Sequence, residues 1–160
     1  MTPRYERMTS EADLPRLAGL LSVRTMIVDV EPLIAHWDTG QDALDLGVAR
    51  FLEQVSGIQT VRVVCFATNS ARVPSVLAAV PDLRVEYLAS ARKPLRTAPY
   101  RGMPVPGVVI GDQVLTDGVL AKRLGYTFVH YRPTLSDTPS GPRLLSGGGD
   151  LLRPLLFPGS

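Results

Sequence analysis

The chain has 160 residues, 45% of them apolar, which suits one domain with a sizeable core and leaves little room for a second. Its 17 basic and 15 acidic residues are interspersed, for a formal charge of +2, so no block of like charge points to nucleic acid as a partner. The single cysteine, Cys65, cannot form an internal disulfide, and its setting in Val63-Val64-Cys65-Phe66 reads as a buried core thiol.

In chain order, the polar stretch 1–10 lacks the apolar core of a signal peptide. No apolar run approaches the ~18 residues of a membrane span, so a soluble, cytoplasmic protein is expected. Ser10 to Leu21 predicts a short helix, with Ser10 as N-cap, Pro15 near its start and Leu14, Leu17, Leu20 and Leu21 at helical spacing. Thr25 to Val30 is a continuous apolar run suited to a buried parallel strand, and it contains Asp29. Gln41 to Val55 predicts a helix with Leu44, Val48, Phe51, Leu52 and Val55 on one face, ended by Gly57.

Strands are expected at Thr60 to Phe66, Leu83 to Leu88, Val108 to Ile110 and Tyr126 to Tyr131. Helices are expected at Val73 to Val80, with Pro74 in the first turn, and at Thr116 to Leu124, stopped by Gly125. Between Lys93 and Val108, Pro94, Pro99, Gly102, Pro104, Pro106 and Gly107 argue against a long helix. Strands alternating with helices give an α/β fold with a parallel sheet covered on both faces. Residues 1–132 read as one domain and 133–160 as a Pro/Gly-rich tail. The apolar stretch Leu151 to Phe157 favours docking, either back on the domain or on a protein partner.

Chemistry gathers where the strands end. The first, second and fourth runs close on Asp29-Val30-Glu31, on Ala67-Thr68-Asn69 and on Gly111-Asp112-Gln113, with Thr116-Asp117 just beyond, and the third is followed by Lys93-Pro94. Ligands bind at that edge in open parallel sheets. One carboxylate can attack phosphorus, and a second, two residues on, can protonate the leaving group and then activate water. Another carboxylate can help hold Mg²⁺, while a lysine and a hydroxyl bind phosphoryl oxygens.

This order of motifs resembles the haloacid dehalogenase (HAD) superfamily, most specifically through Val109-Ile110-Gly111-Asp112-Gln113-Val114-Leu115-Thr116-Asp117-Gly118. The helix at Leu14 to Leu21 and the position of Trp37 are similar to small phosphatases of the phosphatidylglycerophosphatase type, and the resemblance spans about Ala12 to Arg132. It implies a three-layer Rossmann-like fold without a cap domain, and a hydrolase that splits phosphate monoesters through an aspartyl-phosphate. Asp29 would be nucleophile and metal ligand. Glu31 would be the acid/base, with its backbone carbonyl on the Mg²⁺. Thr68, Asn69 and Lys93 would bind the phosphoryl group, Asp112 would complete the metal carboxylates, and Asp117 would support the metal shell or Lys93. An open site implies a phosphorylated substrate that is itself large.

The first motif departs from that family, where the acid/base is usually aspartate and the position two further on is threonine or valine; here they are Glu31 and Leu33, with Pro32 between. A displacement of about 1 Å can cost on the order of 100-fold in rate. The alternative function is therefore a degenerate HAD domain that serves in binding. His130 reads as a strand residue, His36 as a loop residue near the site mouth, and Trp37 as a packing anchor.

Overall fold

Six short segments become the strands of one sheet in the computed structural model, which describes residues 4–132, 154, 156 and 157. They are β1 (Tyr5–Met8), β2 (Thr25–Asp29), β3 (Val63–Ala67), β4 (Arg84–Leu88), β5 (Gly107–Gly111) and β6 (Thr127–Tyr131). Three helices accompany them: α1 (Leu14–Leu21), α2 (Gln41–Ser56) and α3 (Val119–Leu124). The sheet order is β1-β6-β5-β2-β3-β4, and every pairing is parallel. This is an α/β arrangement compatible with a Rossmann-like fold. No helix among the described residues is long and apolar enough to cross a membrane.

Alternation along the buried strands builds two cores, one on each face. Met26 and Val28 of β2, with Val64, Phe66 and Ile110, pack under Leu14 and Leu17 of α1 and Leu44, Val48, Phe51 and Leu52 of α2. Ile27, Cys65, Val109 and Phe128 face the other way, against Leu120 and Ala121 of α3 and against Tyr100 and Met103. Phe157, from the C-terminal stretch, joins this second core: it is buried, stacks on Phe128 at 5.8 Å and lies 6.0 Å from Tyr5.

The structure corrects the sequence expectation in three places. Val73 to Val80 is not helical. It runs as an open, exposed strip tied to α2 through Ser75 N–H donating to Asp45 (2.8 Å) and Gln41 Nε2 donating to the Val73 carbonyl (2.9 Å). Val73, Val76 and Leu77 are exposed, so there is no apolar face to seat a helix on the sheet, and tertiary ties replace propensity. Residues 5–8 form an edge strand, because Tyr5 and Met8 pair with Phe128 and Tyr131 despite their charged neighbours. The helix expected from Thr116 starts as a wide, π-helical turn at Val114–Gly118 before α3 begins. Trp37, expected to anchor packing, is half-buried, meets His36 edge to face at 5.2 Å and also lines a cavity at the sheet edge.

Candidate active site

The strand order turns back between β2 and β5, the point at which open parallel sheets form a ligand crevice outside the strands' carboxyl ends. Asp29 ends β2 and Asp112 follows β5, so strand pairing alone sets two carboxylates side by side. A cavity of about 130 Å³ opens at this edge, lined by Asp29, Glu31, Trp37, Thr68, Asn69, Ser70, Lys93, Gln113 and Thr116.

Asp117 completes the acidic group. One carboxylate oxygen from each of Asp29, Asp112 and Asp117 lies within 4.8 Å of the others. The wide turn aims Asp117 back over β5, where its Oδ2 accepts the Gln113 N–H at 3.3 Å. Gly111 makes room for it. A Cβ there would stand 2.2 Å from that same Oδ2, so only glycine lets the carboxylate sit against the strand.

Lys93 enters from the segment after β4. Its Nζ lies 2.8 Å from Asp29 Oδ1 and donates to Asp117 Oδ1 at 2.7 Å. Ser90 and Arg92 adopt left-handed φ of 49° and 54°, costly for residues with a Cβ. They are held there by Ser90 N–H on the Ser70 carbonyl (2.7 Å) and Ala91 N–H on the Thr68 carbonyl (2.8 Å). Asn69 adds a two-point clasp, accepting Lys93 N–H at 2.7 Å and donating to the Lys93 carbonyl at 3.2 Å. Its amide is thus committed to positioning Lys93, beyond the phosphate-binding role expected of it.

The electrostatics follow from crowding. Burial first, and Asp117 second, push the Asp29 carboxyl well above its ordinary range, and Lys93 pulls it back only in part. Asp112 is pushed up to about 7, again by burial and then by Asp117. Burial acts to lower the Lys93 ammonium, but Asp117 and Asp29 outweigh it and hold the lysine above its usual range. Two of the three acids pair with the one ammonium, so the group as a whole is short of positive charge. Among the described residues, Asp112 Oδ1 is buried without a hydrogen-bond partner. Both Asp117 oxygens are taken, one by Lys93 and one by Gln113. Asp29 and Asp112 are therefore the carboxylates best placed to share a hard cation, and an all-oxygen set suits one. His130 Nε2 lies 3.0 Å from the Asp112 carbonyl, and its Nδ1 lies 2.7 Å from the Tyr5 hydroxyl, so β1 and β6 help place Asp112.

The other side of the cavity is built differently. The Glu31 carboxylate accepts the Thr68 hydroxyl at 2.6 Å and the Ser70 hydroxyl at 3.2 Å, with Arg72 Nη1 at 3.6 Å. The Glu31–Pro32 and Lys93–Pro94 peptides are both cis. Leu33 is buried in the α1–α2 core, and the loop turns tightly as Ile34 and Ala35 N–H donate to the Val30 carbonyl. Helix α2 closes on that loop at Gly47, where a Cβ would meet the Ile34 carbonyl oxygen at 2.0 Å.

The structure thus brings together Asp29, Glu31, Thr68, Asn69, Lys93, Asp112 and Asp117, all expected from the sequence. It adds Ser70 and Arg72, which sequence reasoning missed. The available signal was their place after β3, on the edge that carries every other site residue. Comparison of the chain with family models, with curated proteins and with solved structures returns no match.

Proposed function

We propose that the chain is a Mg²⁺-dependent phosphate monoester hydrolase of the HAD type, with an open, capless site and Asp29 as nucleophile. The observation that carries this reading is Asp29 itself: a buried carboxylate at the sheet's switch point, 2.8 Å from Lys93 and grouped with two further aspartates. Asp29 and Asp112 would hold the cation, with the Glu31 backbone carbonyl as a further ligand. When bound, the cation would offset the negative charge of the phosphoryl group and the carboxylates.

The chain's own residues account for the remaining steps. Asp29 attacks phosphorus, the ester P–O bond breaks, and Glu31 gives its proton to the departing oxygen. A water then attacks the aspartyl-phosphate, Glu31 takes the water's proton, and inorganic phosphate leaves as the Asp29 carboxylate is restored. Lys93 and Thr68 bind phosphoryl oxygens, and Asn69 keeps Lys93 in place.

One observation favours the second reading, a binding domain without turnover. Glu31, a methylene longer than aspartate, is engaged by Thr68 and Ser70, so acid and phosphate ligand occupy each other. Steady-state hydrolysis of a generic aryl phosphate with Mg²⁺ separates the two. Wild type is expected to turn over, Asp29→Asn to lose at least about 10³-fold, in line with loss of a nucleophile, and Glu31→Asp to gain by freeing Thr68. No activity in any of the three, across metals and substrates, leaves the binding reading standing.

A further inference from the structure

We infer that Arg72 is a positioning residue that clamps the loop bearing Trp37 and seats Glu31 with one guanidinium fork. Arg72 lies just after β3, on the strip between β3 and β4. Its Nη1 donates to the His36 carbonyl at 2.9 Å, and its Nη2 donates to the Thr39 carbonyl at 2.9 Å and the Gly40 carbonyl at 3.5 Å. The same Nη1 lies 3.6 Å from Glu31 Oε1. One side chain therefore ties two parts of the site: the acid after β2, and the 36–40 segment that ends at the Gly40 N-cap of α2.

The chemistry requires arginine. Three carbonyls and a carboxylate converge from different directions, which the planar fork can serve and a lysine point charge cannot. Arg72 N–H also donates to the Ser70 hydroxyl oxygen at 3.3 Å, so the residue that clamps the loop shares a turn with the hydroxyl that binds Glu31. Burial first, then Glu31, push the neighbouring Tyr87 hydroxyl up to about 12, with Arg72 opposing.

Trp37 sits inside the clamped segment and lines the same cavity as Asp29 and Lys93. Fixing the segment fixes that wall, against which the leaving group of a substrate would rest. The clamp itself is independent of turnover; its consequence for rate rests on the hydrolase reading above.

Trp37 is the only tryptophan in the chain, so its emission reports on this wall alone. The test compares Arg72→Gln and Arg72→Lys with wild type by acrylamide quenching of Trp37, with circular dichroism and urea midpoints to show that each is folded. Both variants are expected to quench more than wild type, because both lose the fork. In turnover of an aryl phosphate, Arg72→Gln is expected to lose about 10- to 100-fold in kcat with a smaller change in KM. Arg72→Lys is expected to keep more kcat, because a cation stays beside Glu31. Wild-type quenching in both variants overturns the clamp, and so does full restoration of quenching by lysine. If wild type hydrolyses nothing, the quenching arm still decides the clamp, and the hydrolase reading fails separately.

Discussion

The two walls of the cavity solve opposite problems. On the β5 side, Asp29 and Asp117 share the Lys93 ammonium, Asp112 crowds against both, and one buried carboxylate oxygen of Asp112 lacks a partner among the described residues. On the β3 side, Glu31 is served by two hydroxyls and a guanidinium. The first wall is short of positive charge, and the second is already satisfied. A site divided this way has one half whose stability depends on what binds and another that is built to hold its shape.

Removing charge from the crowded wall should break this contrast most severely. Lys93→Met leaves Asp29 and the fully buried Asp117 without their cation, and stripping one partner from a buried pair costs about 3–5 kcal/mol. Urea denaturation is expected to show that loss, and an unchanged midpoint would mean the lysine is not the keystone of that wall.

A pH series sharpens the same contrast with an intermediate effect. Folding raises Asp112 from 3.8 to about 7, and Asp29 moves in the same direction. The folded chain therefore keeps protons that the unfolded chain has released, so metal-free stability is expected to fall as pH rises from about 4 to about 7. Adding Mg²⁺ should flatten that slope, since a ligand of the folded state stabilises it most where the carboxylates are ionised. Thermal melts across this range, with and without Mg²⁺, measure it; a metal-free slope of opposite sign would contradict the crowding.

The smallest effect belongs to the satisfied wall. Ser70→Ala removes one of several donors to Glu31, and losing one ordinary hydrogen bond costs about 1 kcal/mol. A loss as large as that of Lys93→Met would show that the two walls are equally strained.

The strands and the acidic edge were legible in the sequence because they rest on local rules. Apolar runs such as Val63 to Phe66 leave few alternatives to buried strands, and parallel strands bring their carboxyl ends to one edge. Asp29, Asp112 and Lys93 followed from that edge. Residues 73–80 were misread because their spacing is helical while the contacts that settle them, to Asp45 and Gln41, are remote in sequence. Residues 5–8 were missed because an edge strand needs one partner and little hydrophobicity. Arg72 was missed because its meaning lies in three backbone carbonyls, which carry no side-chain signature.

The wide turn at Val114–Gly118 acts as a register device, much as a bulge does in a strand. A regular helix advances about 100° per residue, so tightening that turn by one residue would swing Asp117 off Lys93 while Asp112, ahead of it, stayed in place. One residue gained or lost here thus decides whether the aspartate cluster at this sheet edge has two members or three.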